Sequence, residues 1–395
     1  MTTFDQLGLP LQLVHQLRRE GIEQPFPVQA AAIPDILAGR DVLGRGPTGS
    51  GKTFAFGLPM LARLTGAPSR PKYPRALVLA PTRELALQIH SRLDAPAAAL
   101  GLRILAVVGG VNIKRDARFL AAPVDLLVAT PGRAIDLVRQ RMLFLSAVEI
   151  TAIDECDQMS DMGFLPQVHK LLKLTPAGQR LLFSATLDGD VQELIDRYTN
   201  NPVQHATAQA SVDTMRHFFS VVEENRDAVV AKIAGRKGKT LLFRRTRFDV
   251  DRQVASLRAA GINALGIHGN KGQATRTAAI DAFTSGDVPV LVATDVAARG
   301  IDISDVSLVV HVDPPEDYKA YLHRAGRTAR AGNAGTVVTL ITSTKRSQLT
   351  NLFAQAGVSA VEVDAARLAK ITGAHTQKGT RVDQRRQHRK RRAGR

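Results

Sequence analysis

Ten short apolar runs punctuate the chain, and they lack the polar alternation of a half-buried strand. The first half holds RALVLA (75–80), RILAVVG (103–109), VDLLVAT (124–130), EITAID (149–154) and QRLLFSAT (179–186). The second holds KTLLFRR (239–245), NALGIHG (263–269), VPVLVAT (288–294), VSLVVHVD (306–313) and GTVVTLIT (335–342). Continuous apolar runs suit parallel strands buried on both faces, and the gaps between them are long enough for crossover helices. The pattern therefore predicts an α/β protein with parallel sheets flanked by helices. The rhythm lapses in NPVQHATAQASVDTM (201–215) and restarts after it, so a linker is expected there. A second boundary is expected after the helical-looking TKRSQLTNLFAQAG (344–357). This divides the chain into a first domain over 1–205, a linker over 206–215, a second domain over 216–360 and a tail over 361–395.

Composition adds a partner class. The chain carries 53 Lys and Arg against 36 Asp and Glu, a net charge of +17 that would attract a polyphosphate such as nucleic acid. The last eighteen residues, KGTRVDQRRQHRKRRAGR, contribute +8 of it. Such a run is expected to be a solvated, flexible end that adds salt-sensitive phosphate affinity without sequence preference. A single cysteine, Cys156, rules out an internal disulfide and suits a reducing compartment. No apolar run reaches the ~20 residues of a membrane span, and MTTFDQLGLP lacks the basic and apolar regions of a signal peptide. The expectation is a cytoplasmic protein without membrane contact, although RKRR (389–392) would also serve as a nuclear address in a eukaryote.

The chemistry begins at GPTGSGKT (46–53), which fits G-x-x-x-x-G-K-[ST]. Thr48, Gly49, Ser50 and Gly51 would wrap phosphates in backbone N–H groups at a helix N-terminus. Lys52 would meet the β- and γ-phosphates, and the Thr53 hydroxyl would ligate Mg²⁺. The context is right: RDVLG (40–44) reads as a strand before the loop, and TFAFGLPMLARL (53–64) as a helix after it, with Pro59 awkward inside. A phosphate loop needs a carboxylate at the end of a neighbouring strand, and Asp154 in EITAIDECD supplies one for Mg²⁺. Glu155 beside it is placed to orient and deprotonate an attacking water. Positive charge for the γ-phosphate is expected from YLHRAGRTARAG (321–332). There Arg324, Arg327 and Arg330 recur at three-residue spacing and, on one helix, would point at one target.

In these motifs the sequence resembles the DEAD-box ATP-dependent RNA helicases, over residues 4 to about 357. Phe4 and PFPVQ (25–29) resemble the adenine-reading Q motif, GPTGSGKT motif I, DECD (154–157) motif II and SAT (184–186) motif III. PTRELA (81–86), GG (109–110) and TPGR (130–133) resemble the RNA-contacting motifs of the first domain. LLFRRT (241–246), QATR (273–276), ATDVAARGID (293–302) and HRAGRTAR (323–330) resemble those of the second. The resemblance implies two tandem RecA-like domains and an ATPase that unwinds short RNA duplexes, or remodels ribonucleoprotein, as ATP closes the domains. It implies that Phe4 and Gln29 serve the adenine, Asp302 the ribose, and Arg327 and Arg330 the γ-phosphate. Asp157, Ser184, Thr186, His323 and Arg324 would couple the nucleotide site to the RNA path. Pro81, Thr82, Arg83, Gly110, Thr130, Arg133, Arg276 and Thr294 would hold the RNA backbone, contacts that carry no sequence information.

Two positions depart from the family. Ile22 stands where an adenine-stacking aromatic is usual, and Phe26 replaces the usual threonine of the Q motif, so weaker adenine discrimination is expected. Cys156 is expected to be a chemically silent spacer, since Mg²⁺ prefers oxygen and activated water needs no protein nucleophile. Two other readings stay open: a DNA-directed helicase of the same architecture, and an RNA clamp or annealing factor relying on the basic tail. The compact layout resembles bacterial members, and the partners implied are RNA and ribonucleoprotein or ribosome-assembly particles.

Overall fold

Every predicted apolar run becomes a strand, and each strand is parallel to its neighbours. The computed structural model describes residues 2–46, 50–187, 189–206, 215–298, 306–329 and 334–373. The chain divides into two compact units, whose main boundary lies between residues 214 and 215. The first contains β1 (Val42–Arg45), β2 (Ala76–Leu79), β3 (Ile104–Val107), β4 (Leu126–Ala129), β5 (Ile150–Asp154), β6 (Gln179–Ser184) and β7 (Val203–Ala206), in the order β3-β4-β2-β5-β6-β1-β7. The second contains β8 (Met215–Val221), β9 (Lys239–Phe243), β10 (Ala264–Ile267), β11 (Val290–Ala293), β12 (Val306–His311), β13 (Gly335–Ile341) and β14 (Ala360–Glu362), in the order β10-β11-β9-β12-β13-β8-β14. Strand for strand the two orders are the same, so the halves repeat one architecture.

Burial explains why the runs were continuous. In β2, Ala76 and Val78 enter one core cluster while Leu77 and Leu79 enter another on the opposite face. The first cluster joins the sheet to helices Leu11–Arg19, Pro27–Leu37, Lys52–Arg63 and Arg83–Ala99; the second joins it to Pro131–Arg139, Cys156–Asp161, Leu165–Leu172 and Asp190–Tyr198. Both faces being covered, neither side of a central strand can be polar. In all-parallel sheets, loops at the carboxyl ends of strands share one edge, where ligands bind. Strand order splits that edge in the first domain. The loops after β5, β6 and β1 are neighbours and carry DECD, SAT and the phosphate loop, while those after β3, β4 and β2 carry GG, TPGR and PTRELA.

The tail boundary requires a correction. Residues beyond 360 continue the second domain: β14 pairs with β8, and the helix Ala365–Ile371 follows, its N-cap Asp364 accepting a 2.6 Å bond from Arg367 N. Val363 and Leu368 are buried in the domain's core, which holds the segment down as far as the described residues reach, to Gly373. Residues 374–395, with the whole basic run, and 207–214 of the linker lie outside the described residues.

The second core buries an aromatic and imidazole network. His217 on β8 places Nδ1 2.6 Å from Tyr321 Oη; His311 on β12 meets Tyr321 edge-on at 5.1 Å and Thr339 Oγ1 at 3.1 Å. Burial lowers the His217 pKa to about 4 and holds His311 well below the usual value, with Arg324 and His217 adding to the latter. Both imidazoles are thus neutral in the fold, whereas the unfolded chain protonates near pH 6.5. Stability is therefore full above that pH and falls as acid drives the unfolded state to bind protons. Between pH 6.5 and 4, His217 alone should cost the second domain about 3 kcal/mol. Urea unfolding of the full chain, read by pulse proteolysis with second-domain fragments identified by mass, should show that loss, and His217→Gln should flatten it.

Candidate active site

The phosphate loop is anchored at both ends. Gly46 N donates to Ser184 O at 3.0 Å, so the loop leaves β1 fastened to β6. At its far end Gly51 has φ +91°, in the left-handed region that favours glycine. A Cβ there would also strike Gln29 Nε2 at 2.6 Å and the Phe26 ring at 2.9 Å. Lys52 opens the helix Lys52–Arg63, which continues through Pro59. Its Nζ donates to Gly46 O at 3.1 Å and to Glu155 Oε1 at 2.9 Å. Thr53 is the next residue of that helix, and Ser50 Oγ is a buried hydroxyl with no hydrogen-bond partner among the described residues.

Across this loop, β5 ends in the acidic cluster. Asp154 is buried and its Oδ1 accepts from Glu155 N at 3.0 Å; Glu155 itself holds φ +52°, an unusual backbone for a residue with a side chain. Burial raises the Asp154 carboxyl to about 7, with Lys52 pulling the other way and Glu155 and Asp157 adding to the rise. Burial would lower the Lys52 ammonium, but Glu155, Asp154 and Asp157 outweigh it and hold the pKa above its ordinary value. Three carboxylates thus surround one ammonium, a surplus of negative charge. Cys156 points away into the second core cluster, its Sγ 3.4 Å from Ile153 O, and burial first, then Asp157 and Asp154, raises its thiol well above normal. It is a protonated packing group.

Asp157 joins two motifs. Its amide donates to Ser184 Oγ at 3.1 Å, and its Oδ2 accepts from Ala185 N at 3.1 Å, Thr186 N at 3.0 Å and Thr186 Oγ1 at 3.4 Å. The backbone after β6 is therefore held by the first turn of the helix Cys156–Asp161, directly after Asp154 and Glu155.

The adenine-side residues are placed differently from expectation. Phe4 is 2% exposed and belongs to the first core cluster, so it anchors the N-terminal segment and offers no face to a base. Gln29 is also buried, its Oε1 accepting from Phe26 N at 2.8 Å and its Nε2 donating to Gly51 O at 3.0 Å; it ties the Q-motif helix to the phosphate loop. Ile22 packs against the core, whereas Phe26 is 47% exposed beside Gly51.

On the other half of the edge, Pro81 and Thr82 are buried, and Thr82 caps the helix Arg83–Ala99 by accepting from Leu85 N at 3.2 Å. Thr130 is half-buried at the start of the helix Pro131–Arg139. Gly110 is exposed with φ +78°, and the Arg83 guanidinium occupies the space a Cβ would need. Arg133 is not presented to solvent. It is buried, donates to Val108 O at 3.0 Å and to Val111 O, and lies 3.4 Å from buried Asp116. Its contacts with Val108 O and Val111 O bracket the turn that carries Gly109 and Gly110. Asp116 is a residue the sequence did not single out.

In the second domain Arg276 sits half-buried in the first turn of the helix Gln273–Ser285, and Thr294 is buried at the end of β11. The arginines do not share a helix. The helix Tyr318–Ala325 stops at Gly326, so it carries His323 and Arg324 but not Arg327. Arg324 binds Asp295 through both arms, Nε to Oδ1 at 2.5 Å and Nη2 to Oδ2 at 2.6 Å, donates to Asp313 O at 2.8 Å, and lies 5.1 Å from the Phe243 ring centre. It is committed within its own domain, to Asp295, Asp313 and Phe243.

A family model described as DEAD/DEAH box helicase matches residues 26–194, and one described as Helicase conserved C-terminal domain matches 224–332. DEAD-box ATP-dependent RNA helicase CshA of Geobacillus kaustophilus is 38% identical over 355 residues, covering 88% of this chain and 75% of that protein. The chain belongs to the DEAD-box ATP-dependent RNA helicases. ATP-dependent RNA helicase DBP2 of Meyerozyma guilliermondii is also 38% identical, over 87% of this chain and 64% of its own. The structure of Dbp5 from S. cerevisiae bound to RNA and ADP BeF3 matches with a TM-score of 0.85 and 27% identity, covering 94% of this chain and 99% of that one. Four DEAD-box residues named from the sequence, Thr48, Gly49, Asp302 and Arg330, lie outside the described residues. Asp295 was missed altogether: it stands in the ATDVAARGID run, but no spacing rule shows that it faces Arg324, 29 residues on.

Proposed function

We propose that the chain is an RNA-dependent ATPase that unwinds short RNA duplexes locally, ATP and RNA together driving closure of its two domains. The observation that carries the reading is the buried Lys52–Glu155 pair beside Asp154, latched through Asp157 to Ser184 and Thr186. Phosphoryl transfer to water depends mostly on positioning and charge stabilisation, and these residues supply both. Lys52 would move from Glu155 to the β- and γ-phosphates, which frees Glu155 to orient and deprotonate the attacking water. Asp157 would carry the state of that site to Thr186, and so toward the loops holding RNA.

The acidic surplus at Asp154, Glu155 and Asp157 and the hard oxygen donors Asp154 and Thr53 fit Mg²⁺. When bound, Mg²⁺ would neutralise charge developing on the phosphate oxygens. Asp154 and Thr53 would hold it, with the rest of the shell from water and substrate. Gln29 and the exposed Phe26 border the end of the loop where the base would lie, and the resemblance assigns Arg327 and Arg330 to the γ-phosphate. Thr82, Arg83, Gly110, Thr130, Arg276 and Thr294 would line the RNA backbone, with Arg133 supporting the Gly110 turn.

The test is steady-state ATP turnover with and without single-stranded RNA, beside strand displacement on RNA-containing and DNA-only duplexes. RNA should stimulate turnover and displacement should require an RNA strand; equal turnover with and without RNA would remove the proposal. With the aliphatic Ile22 packed against the core and Phe26 in the threonine position, GTP should compete better than in an enzyme with both usual residues, and Ile22→Phe/Phe26→Thr should sharpen the ATP preference.

A further inference from the structure

Phe248 is 71% exposed, the most exposed large hydrophobic side chain among the described residues. It is not needed for packing. It is the second residue of the helix Arg247–Ala259, whose buried face is Val250, Val254 and Leu257, and whose cap is Thr246 accepting from Asp249 N at 3.2 Å. Single exposed rings are common on protein surfaces, so what surrounds this one decides its use.

Its surroundings are basic. The stretch RRTRFDVDR (244–252) holds four arginines against two aspartates. Arg244 is buried against Asp249 and Asp313, Arg252 pairs with Asp249 at 3.0 Å, and Arg245 reaches Glu316 only at 3.9 Å. Arg247 is exposed and its guanidinium lies 4.9 Å from the Phe248 ring centre, a cation–π contact that steadies the ring. Strand order gives the location. In β10-β11-β9 the loops at the carboxyl ends adjoin: the one after β10 leads to Arg276, Thr294 directly follows β11, and the one after β9 leads to Phe248. The ring thus stands on the same sheet edge as residues assigned above to the RNA backbone, and the inference rests on that assignment.

We propose that Phe248, flanked by Arg245 and Arg247, is a stacking platform for one unpaired RNA base at the edge of the second domain. A flat apolar ring has nothing to offer a phosphate, whereas every base has a π-face, so such a contact adds affinity without reading sequence. The neighbouring guanidiniums meet the phosphates on either side. The platform pins one nucleotide of the bound strand, a contact of a kind that backbone-holding residues cannot make.

The experiment measures binding of the full chain to short oligouridylate and to the same strand made of abasic residues, across a salt series. Phe248→Ala should weaken binding to oligouridylate about 5- to 150-fold. The slope of log affinity against log salt should stay unchanged, because no phosphate contact is lost. The parent should prefer the base-bearing strand over the abasic one by a similar factor, Phe248→Ala should lose that preference, and Phe248→Trp should keep it. Parental affinity in Phe248→Ala would overturn the proposal and leave the ring to some other partner, such as a protein. A parent that binds no RNA would sink the functional reading itself, a distinguishable result.

Discussion

Glu155→Gln should lower RNA-stimulated ATP turnover about 10²- to 10⁴-fold, the usual worth of a positioned general base, while ATP still binds. The amide keeps an acceptor for Lys52 Nζ, now 2.9 Å from Oε1, and a shape suited to the left-handed backbone at that position. What it loses is basicity. Asp154 and Asp157 still support the Lys52 ammonium, so the fold should hold. Glu155→Ala would confuse the result, because stripping one partner from a buried ion pair costs about 3–5 kcal/mol. Lys52→Ala is the contrast: it should abolish nucleotide binding. Single-turnover hydrolysis beside nucleotide affinity separates the two, and a Glu155→Gln protein with parental turnover would end the assignment of Glu155 as base.

Legibility followed burial. The ten runs were readable because a parallel strand covered on both faces must be apolar throughout, as the two-sided burial of Ala76–Leu79 shows. The edge strands β7 and β14 had no such constraint. In β7 burial alternates along VQHA, and β14 is largely exposed, so neither leaves an apolar run. β8 is obscured by Arg216 and by His217, a residue buried only because Tyr321 answers it from 104 positions away. The missed stretch beyond 360 has the same cause, since Val363 and Leu368 are few apolar anchors in a polar segment.

Within the site, chemistry set by local spacing was legible and commitments made at long range were not. GPTGSGKT and DECD carry their own logic, and the structure brings Lys52 and Glu155 together from 103 positions apart. Arginine is harder to read, because its partners decide its use. Arg133 looked like an RNA ligand and is instead buried against Val108 O and Asp116. Three-residue spacing suggested one helical face for Arg324, Arg327 and Arg330, but the helix ends at Ala325, before the second of them.

Arg324→Ala should destabilise the second domain by about 3 kcal/mol, as expected when one partner of a buried charge pair is removed. Asp295 would lose a fork of two short bonds, Asp313 O a donor, and the Phe243 ring its guanidinium. Asp295 is a third exposed, so water recovers part of the cost, which places the value at the low end. Arg324→Ala/Asp295→Ala should regain much of the stability, the mark of direct coupling in a double-mutant cycle. Arg324→Lys should restore only a fraction, because a point charge cannot replace a planar fork. Arg327→Lys should show its main effect in turnover, down about 10³-fold if a guanidinium there serves the transferring phosphoryl group. Denaturant midpoints and kcat on the same set of proteins decide between the roles. If Arg324→Ala unfolded like the parent yet lost turnover, Arg324 would itself face the phosphate, and the Asp295 fork would be a resting contact released in the working state.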